Sequence, residues 1–133
     1  MHVQRAEAVL GENASLGRRL LVRRRELGHR IFDAATLAGV DAKTWMWWER
    51  GAHEPTVGQY PAIIRYLEYE PWPEPVSLSE KLLVQRRRMG ISMERAAEIT
   101  GVDEGTYGRW ERGEWKPRTT SVLLLERFLC RTP

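Results

Sequence analysis

Apolar residues in the first part of the chain recur at the spacing of a helix. Leu16, Leu20 and Leu27 follow one another on a single face, together with the methylene groups of Arg23. Gly28 comes next, and a glycine suits the C-terminal cap of a helix because it adopts the left-handed conformation without strain. The pattern therefore predicts a helix that begins at Leu16 and ends at Gly28.

Three more helices are predicted after the first one. The second covers Ile31–Ala38 and stops at Gly39, and Asp41 then stands where the N-cap of a third helix belongs. The third helix ends at Gly51, and a fourth apolar segment covers Tyr60–Leu67. No segment alternates apolar and polar residues over the length of a strand, so the pattern predicts an all-α fold.

The whole pattern occurs twice along the chain. A shift of 62 positions aligns residues 16–71 with residues 78–133 without a gap, and 21 of the 56 aligned positions are identical. A period of this length indicates a duplicated unit. The second unit is expected to repeat the four helices, with a first helix from Leu78 to Gly90, a second over Met93–Thr100, a third between Asp103 and Gly113, and a fourth over residues 122–129.

A proline-rich connector separates the two copies. Pro71, Pro73 and Pro75 favour an extended segment through which no helix can run. We therefore expect an N-terminal arm at residues 1–14, a first unit at 15–70, a connector at 71–77 and a second unit at 78–133. Residues 6–10 of the arm have the pattern of one helical turn, although a frayed or docked arm is the expected state.

Each unit also carries a spacing that is typical of a helix-turn-helix. A small residue, Ala35, is followed by Gly39, Trp45 and Trp48 at distances of four, ten and thirteen residues. The small residue lets two helices approach closely, the glycine permits a tight turn, and the two aromatic residues bury one face of the next helix. The second unit repeats the spacing with Ala97, Gly101, Tyr107 and Trp110.

On these residues both units resemble the phage-repressor/Cro-type (XRE) helix-turn-helix family. The resemblance rests on Leu-x-x-x-Leu, the Ala-x-x-x-Gly-Val turn, Thr-x-x-x-Trp-Glu-Arg-Gly and the following Pro55 or Pro117, and it covers about 112 of the 133 residues. It implies two tandem bundles of four or five helices of the lambda-repressor-like type. It also implies a transcriptional regulator of bacterial or phage type.

The resemblance further implies one scaffold ion pair in each unit. Arg24 would pair with Glu49, and Arg86 with Glu111, so that the first helix is tied to the end of the third. We assign these four charges to the scaffold and not to DNA binding. The other arginines of the first helix fit a solvated helix face at least as well as a basic surface for a partner: Arg18, Arg19, Arg23 and Arg25.

In repressors of this type the third helix enters the major groove of DNA. The base-facing candidates are Ala42, Lys43 and Trp47 in the first unit, and Glu104, Gly105 and Arg109 in the second. Arg109 can donate two hydrogen bonds to guanine, and Glu104 can accept one from the amino group of cytosine. Trp47 can do neither, so the second unit is the expected DNA reader.

The loop after the third helix supports the same difference between the units. In the second unit it offers phosphate-binding candidates, namely Lys116, Arg118, Thr119 and Thr120, and Thr106 is a further candidate for a minor hydroxyl contact. The first unit has Glu54, Thr56, Val57 and Gly58 in the matching loop. Members of the family often have a phosphate-binding glutamine at the start of the second helix. This chain has Ile31 and Met93 at the two matching positions, and this departure favours a function other than DNA binding.

The aromatic and aliphatic residues divide into core and surface groups. Trp45, Trp48, Tyr107 and Trp110 are predicted core residues, and Trp72 is expected to pin the connector against one unit. Trp47 and Trp115 have no core role, and Trp47 with Met46 is a candidate anchor for a homodimer or a protein partner. Four aliphatic residues lie off the core stripe, either as ordinary exposed side chains or, since they repeat, as an interface between units or protomers: Leu21, Val22, Leu83 and Val84.

Composition and charge narrow the function classes. The net charge of +3 permits a polyanionic partner. One cysteine cannot form an internal disulfide, and the three histidines lack zinc spacing, so we expect no metal and no cofactor. No apolar run approaches the roughly 20 residues of a membrane span, and the expected location is the cytoplasm. No catalytic motif is present, so we do not expect an enzyme.

Two hypotheses about function remain at this point. The first is a sequence-specific regulator that binds double-stranded DNA mainly through the second unit, and the basic set of Arg109, Lys116 and Arg118 favours it. The alternative is a protein-binding adaptor of the antitoxin or anti-activator type, which has kept the fold and lost groove contacts. The missing glutamine favours the alternative.

Overall fold

The computed structural model describes residues 13–133, and within them the chain forms eight α-helices, one 3-10 turn and no β-strand. The all-α prediction is thereby confirmed for this part of the chain. The chain divides into two compact units, with the boundary between Pro73 and Glu74. The helical pattern at residues 6–10 lies outside the described residues.

The first unit contains four helices and the 3-10 turn. They are α1 (Leu16–Glu26), α2 (Ile31–Ala38), α3 (Ala42–Arg50), the 3-10 turn (Val57–Gln59) and α4 (Tyr60–Leu67). Helix α3 packs against both α1 and α2, and α4 packs against α2. The turn between α2 and α3 is made by Gly39, whose φ of 74° is left-handed.

The second unit has the same order of helices. They are α5 (Leu78–Met89), α6 (Met93–Thr100), α7 (Glu104–Glu111) and α8 (Thr119–Leu129). Helix α7 packs against α5 and α6, as α3 packs against α1 and α2. None of the described helices combines the length and the apolar character of a membrane span.

The last helix begins earlier in the second unit than the expected residue 122. Helix α8 starts at Thr119, whereas the first unit has a separate 3-10 turn at the matching positions before α4. The difference follows from Pro61, which has no N–H to donate to the carbonyl of residue 57. Leu123 stands at the matching position of the second unit and continues the helix.

Each unit is built around one buried aromatic residue of its third helix. Trp45 is fully buried and contacts Tyr66 edge-on at 4.9 Å between ring centroids. Tyr107 takes the matching place and contacts Phe128 at 6.1 Å. The predicted core roles of these residues, and of the buried Trp48 and Trp110, are confirmed.

Several predictions of which side chains are buried and which are exposed are wrong. Leu27 is 39% exposed because α1 ends at Glu26 and Leu27 is only its cap, and Val84 is 5% exposed although it lies off the core stripe. Arg19 and Arg23 are buried, not solvated. The Nε of Arg23 donates to the carbonyl of Tyr66 at 2.9 Å, and the Nε of Arg19 donates to the carbonyl of Ala14 at 3.1 Å.

The predicted arginine–glutamate pair is present in both units. Arg24 donates to the two carboxylate oxygens of Glu49 at 2.6 and 3.0 Å. Arg86 donates to those of Glu111 at 2.7 Å each, and both side chains are about nine-tenths buried. The hydrogen bonds to the carboxylate raise the pKa of Arg86. Each pair fixes the end of the third helix to the first.

The predicted contact of Trp72 is also confirmed. Its indole ring packs edge-on against Tyr60 with 5.7 Å between centroids, and its Nε1 donates to Glu70 at 3.2 Å. The connector is thus fixed to the first unit at this point. No group of acidic, histidine or cysteine side chains within residues 13–133 has the arrangement of a metal site.

Removal of one partner of the buried pair should unfold the second unit selectively. We expect Glu111→Ala to cost about 3–5 kcal/mol, because the Arg86 charge stays buried without compensation. For a unit of this size that is a fall in Tm of about 12 °C or more. Arg112→Ala is the control, since its pair with Glu114 is exposed and contributes at most about 1 kcal/mol. Equal stability of both variants would contradict the prediction.

Gly17 marks the closest approach of α1 to α3. A Cβ at this position would lie 2.5 Å from the carbonyl oxygen of Glu49 and 2.6 Å from that of Trp48. These are backbone atoms, so the helices themselves must separate to admit a methyl group. We expect Gly17→Ala to destabilise the first unit by about 1–3 kcal/mol in denaturant unfolding.

Amide hydrogen exchange assigns this loss to one unit, because it reports the stability of each separately. Ser79→Ala is the matched control, since the second unit already accommodates a side chain at the equivalent position. If Gly17→Ala leaves the exchange rates of the first unit unchanged, the close approach is not a constraint on stability.

Candidate nucleic-acid interface

Helix α7 separates a buried face from a solvent face. Its inner face buries Tyr107, Gly108 and Trp110 against α5 and α6. The residues left on the outer face are exposed, and they are the three base-facing candidates of this unit: Glu104, Gly105 and Arg109. The burial of the inner face therefore decides which side chains can meet a partner.

The start of α7 is held by the predicted N-cap. The carboxylate of Asp103 accepts hydrogen bonds from the backbone N–H of Thr106 at 3.4 Å and from its hydroxyl. These hydrogen bonds lower the pKa of Asp103, so the cap is charged at neutral pH. The one hydroxyl proton of Thr106 is thus engaged in the cap, and phosphate oxygens, which accept only, would have to compete for it.

Arg109 lies on the ring of Trp115. Its guanidinium carbon is 4.4 Å from the ring centroid, within the range of a cation–π contact. Gly105, one turn earlier, leaves room for the guanidinium, because a Cβ there would be 3.6 Å from Nη1 of Arg109 and 3.2 Å from Oδ2 of Asp103. Gly105, predicted to face a base, thus leaves space for the side chain of Arg109.

The loop after α7 brings the predicted basic residues beside this helix. Lys116 is exposed, and Arg118 is exposed at the N-cap of α8. Together with Trp115 they line a groove of about 710 Å³ that also touches Thr106. Thr120 is exposed in the first turn of α8. Arg118 and Thr120 therefore lie at a helix N-terminus, where backbone N–H groups favour anions.

The first unit presents a different outer face at the same place. Lys43 is exposed and its Nζ lies 5.0 Å from the ring centroid of Trp47. The ring of His53 contacts Trp47 on its edge, with 4.5 Å between centroids. Trp47 and Met46 are both half-buried, so this unit offers a compact aromatic surface with one lysine.

The missing glutamine of the second helix has a structural explanation. Ile31 and Met93 are the first residues of α2 and α6, and both pack against the cores of their units. The position that could contact phosphate is therefore used for packing.

The sequence pattern does not predict the contact between Trp115 and Arg109. The signal that could have found it is the repeat itself. Trp115 follows Arg109 by six residues, and His53 follows Trp47 by six residues at the equivalent positions. In both units these two side chains are in contact.

The comparisons with known proteins point to the second unit. Residues 84–129 match the family model described as helix-turn-helix. The matched range contains all of α6, α7 and α8, and the second half of α5. No curated protein and no solved structure matched the chain.

Proposed function

We propose that the second unit, whose residues 84–129 match the helix-turn-helix family model, is the DNA-binding unit of a transcriptional regulator and recognises a specific DNA sequence through α7. One observation carries the proposal. Arg109 is exposed on the outer face of α7 and lies on the ring of Trp115, which lines the same groove as Lys116 and Arg118. We assign base reading to Arg109 and phosphate binding to Lys116 and Arg118.

The proposed roles follow from donor geometry. The planar fork of Arg109 matches the O6 and N7 acceptors of guanine in the major groove. Glu104, exposed one turn and a half earlier, can accept from the amino group of cytosine. Lys116, Arg118 and Thr120 would hold phosphates, which gives grip without sequence preference.

We propose a different task for the first unit, which is assembly. Its four helices have the same order as those of the second unit, and we regard it as a second copy of the fold. Its loop after α3 carries Glu54 where the second unit has Lys116, so phosphate is repelled there. Met46 and Trp47 are the proposed contacts to a second copy of the chain or to a protein partner, while Lys43 could still touch DNA.

The adaptor function is the second candidate, and exposed apolar side chains in the first unit favour it. Phe32 is 65% exposed and Leu37 is 64% exposed, both on α2. Exposed aromatic and aliphatic residues of this size are frequent at protein interfaces. In that case α2 and α3 would bind protein, and the DNA affinity of the second unit would be secondary.

Two substitutions separate base recognition from phosphate binding. We expect Arg109→Ala to cost about 1–3 kcal/mol on the preferred site and to relax the preference at one base pair. Lys116→Ala should weaken binding to all sequences and reduce the salt dependence by about one counterion. Selection of bound fragments from random DNA gives the site, and fluorescence anisotropy over a salt series gives both quantities.

The matched control is Arg127→Ala. This arginine is exposed in the last turn of α8, at the opposite end of that helix from Arg118, so its removal changes the net charge equally. It should leave both the preference and the salt slope unchanged. If the wild-type protein shows no salt-dependent DNA binding at micromolar concentration, the adaptor function replaces the DNA-reading one.

The assembly role is tested at Trp47. We expect Trp47→Ser to change the mass measured by light scattering, or to abolish capture of a protein partner, while the helical content stays constant. Trp115→Ser is the control, since it removes an exposed tryptophan from the other unit. An unchanged assembly together with lost DNA binding would reverse the assignment of the two units.

A further inference from the structure

In both units a side chain of the third helix contacts a side chain of the loop that follows it, outside the buried core. Position 47 contacts position 53 in the first unit, and position 109 contacts position 115 in the second. In each case the first residue lies on the third helix and the second lies in the loop six residues later. The pair is two aromatic rings in the first unit and a cation on an indole in the second.

The backbone at the end of the helix brings the loop ring to this place. In the second unit the N–H groups of Glu114 and Trp115 both donate to the carbonyl of Arg109, at 2.8 and 3.3 Å. Gly113 makes the required turn with a φ of 75°. The first unit has the equivalent hydrogen bond, from the N–H of Ala52 to the carbonyl of Trp47 at 2.9 Å. In the second unit the backbone of Trp115 is therefore held on Arg109, the residue whose side chain its ring contacts.

The contact restricts an otherwise mobile side chain. A free exposed arginine samples many rotamers, and binding must remove that freedom. Trp115 occupies one face of the Arg109 guanidinium at 4.4 Å, and the absence of a side chain at Gly105 leaves room on the helix. A face-on contact leaves the N–H groups at the edge of the guanidinium able to donate, and these are the groups that match guanine.

We propose that Trp115 is a positioning residue for base recognition, which holds the fork of Arg109 in the orientation that reads guanine. This inference rests on the proposed DNA reading by α7, and it adds a specificity-determining residue in the loop. Trp115 acts through Arg109 and does not itself distinguish bases. The first unit, with Trp47 at the arginine position, has the same support and no fork to orient.

The test is a double-mutant cycle on DNA preference. The quantity measured is the ratio of affinities for the selected site and for the same site with its guanine replaced. Trp115→Ala should reduce this ratio about two- to fivefold, the value of an exposed cation–π contact. Trp115→Phe should retain most of the ratio, because it keeps a ring. In an Arg109→Ala background, Trp115→Ala should have no further effect on the ratio.

His53→Ala is the matched control, since it removes the equivalent loop ring of the first unit and should leave the ratio unchanged. A second readout is the upfield NMR shift of the Arg109 side-chain protons over the indole ring. That shift should vanish in Trp115→Ala and stay in Trp115→Phe, with or without DNA.

Three results would overturn the inference. In the first, Trp115→Ala keeps the wild-type ratio of affinities. In the second, Trp115→Ala loses affinity equally for all sequences. In the third, Trp115→Ala lowers the ratio as much in the Arg109→Ala background as in the wild-type protein. Each of them leaves DNA reading by α7 intact. Absence of salt-dependent binding by the wild-type protein would instead contradict the proposed function itself, while the ring-current shift would still report the contact.

Discussion

The buried arginine–glutamate pair is the interaction on which the rest of each unit depends. Arg86 donates three hydrogen bonds inside the second unit: two to the carboxylate of Glu111 at 2.7 Å and one to the carbonyl of Ile91 at 3.1 Å. It therefore joins the end of α7 to α5 and to the turn before α6. Because a half-satisfied buried charge is costly, the three elements keep one arrangement. That arrangement decides which face of α7 is left outside.

The duplicated scaffold permits different surfaces. The pair, the core aromatic residue and the glycine turns recur in both units, and they lie on the inner side of the third helix or at its ends. The outer positions lie outside the cores, and several of them carry different side chains in the two units. A tryptophan covered by histidine in one unit corresponds to an arginine supported by tryptophan in the other. The inner residues maintain the same fold in both units, so the outer residues can differ. We therefore propose assembly for the first unit and DNA recognition for the second.

Small local differences show how close the packing is. The first unit needs Gly17 because α1 touches the backbone of α3, whereas the second unit holds Ser79 at the same place. Pro61 divides the last segment of the first unit into a 3-10 turn and a helix, whereas Leu123 permits one longer helix. The first difference changes how closely two helices can approach, and the second removes a backbone N–H donor. Neither changes the order of the helices.

The helices can be predicted from the sequence, because their apolar spacing, their caps at Asp41 and Asp103 and their terminal glycines are local signals. The outer face of α7 can be predicted as well, since the core positions of an amphipathic helix define the opposite face. The burial of Arg23 depends on the folded chain, because this side chain donates to the carbonyl of Tyr66, a residue distant in sequence. The contact of Trp115 with Arg109 also depends on the folded chain, because the path of a loop depends on backbone hydrogen bonds that no periodicity records.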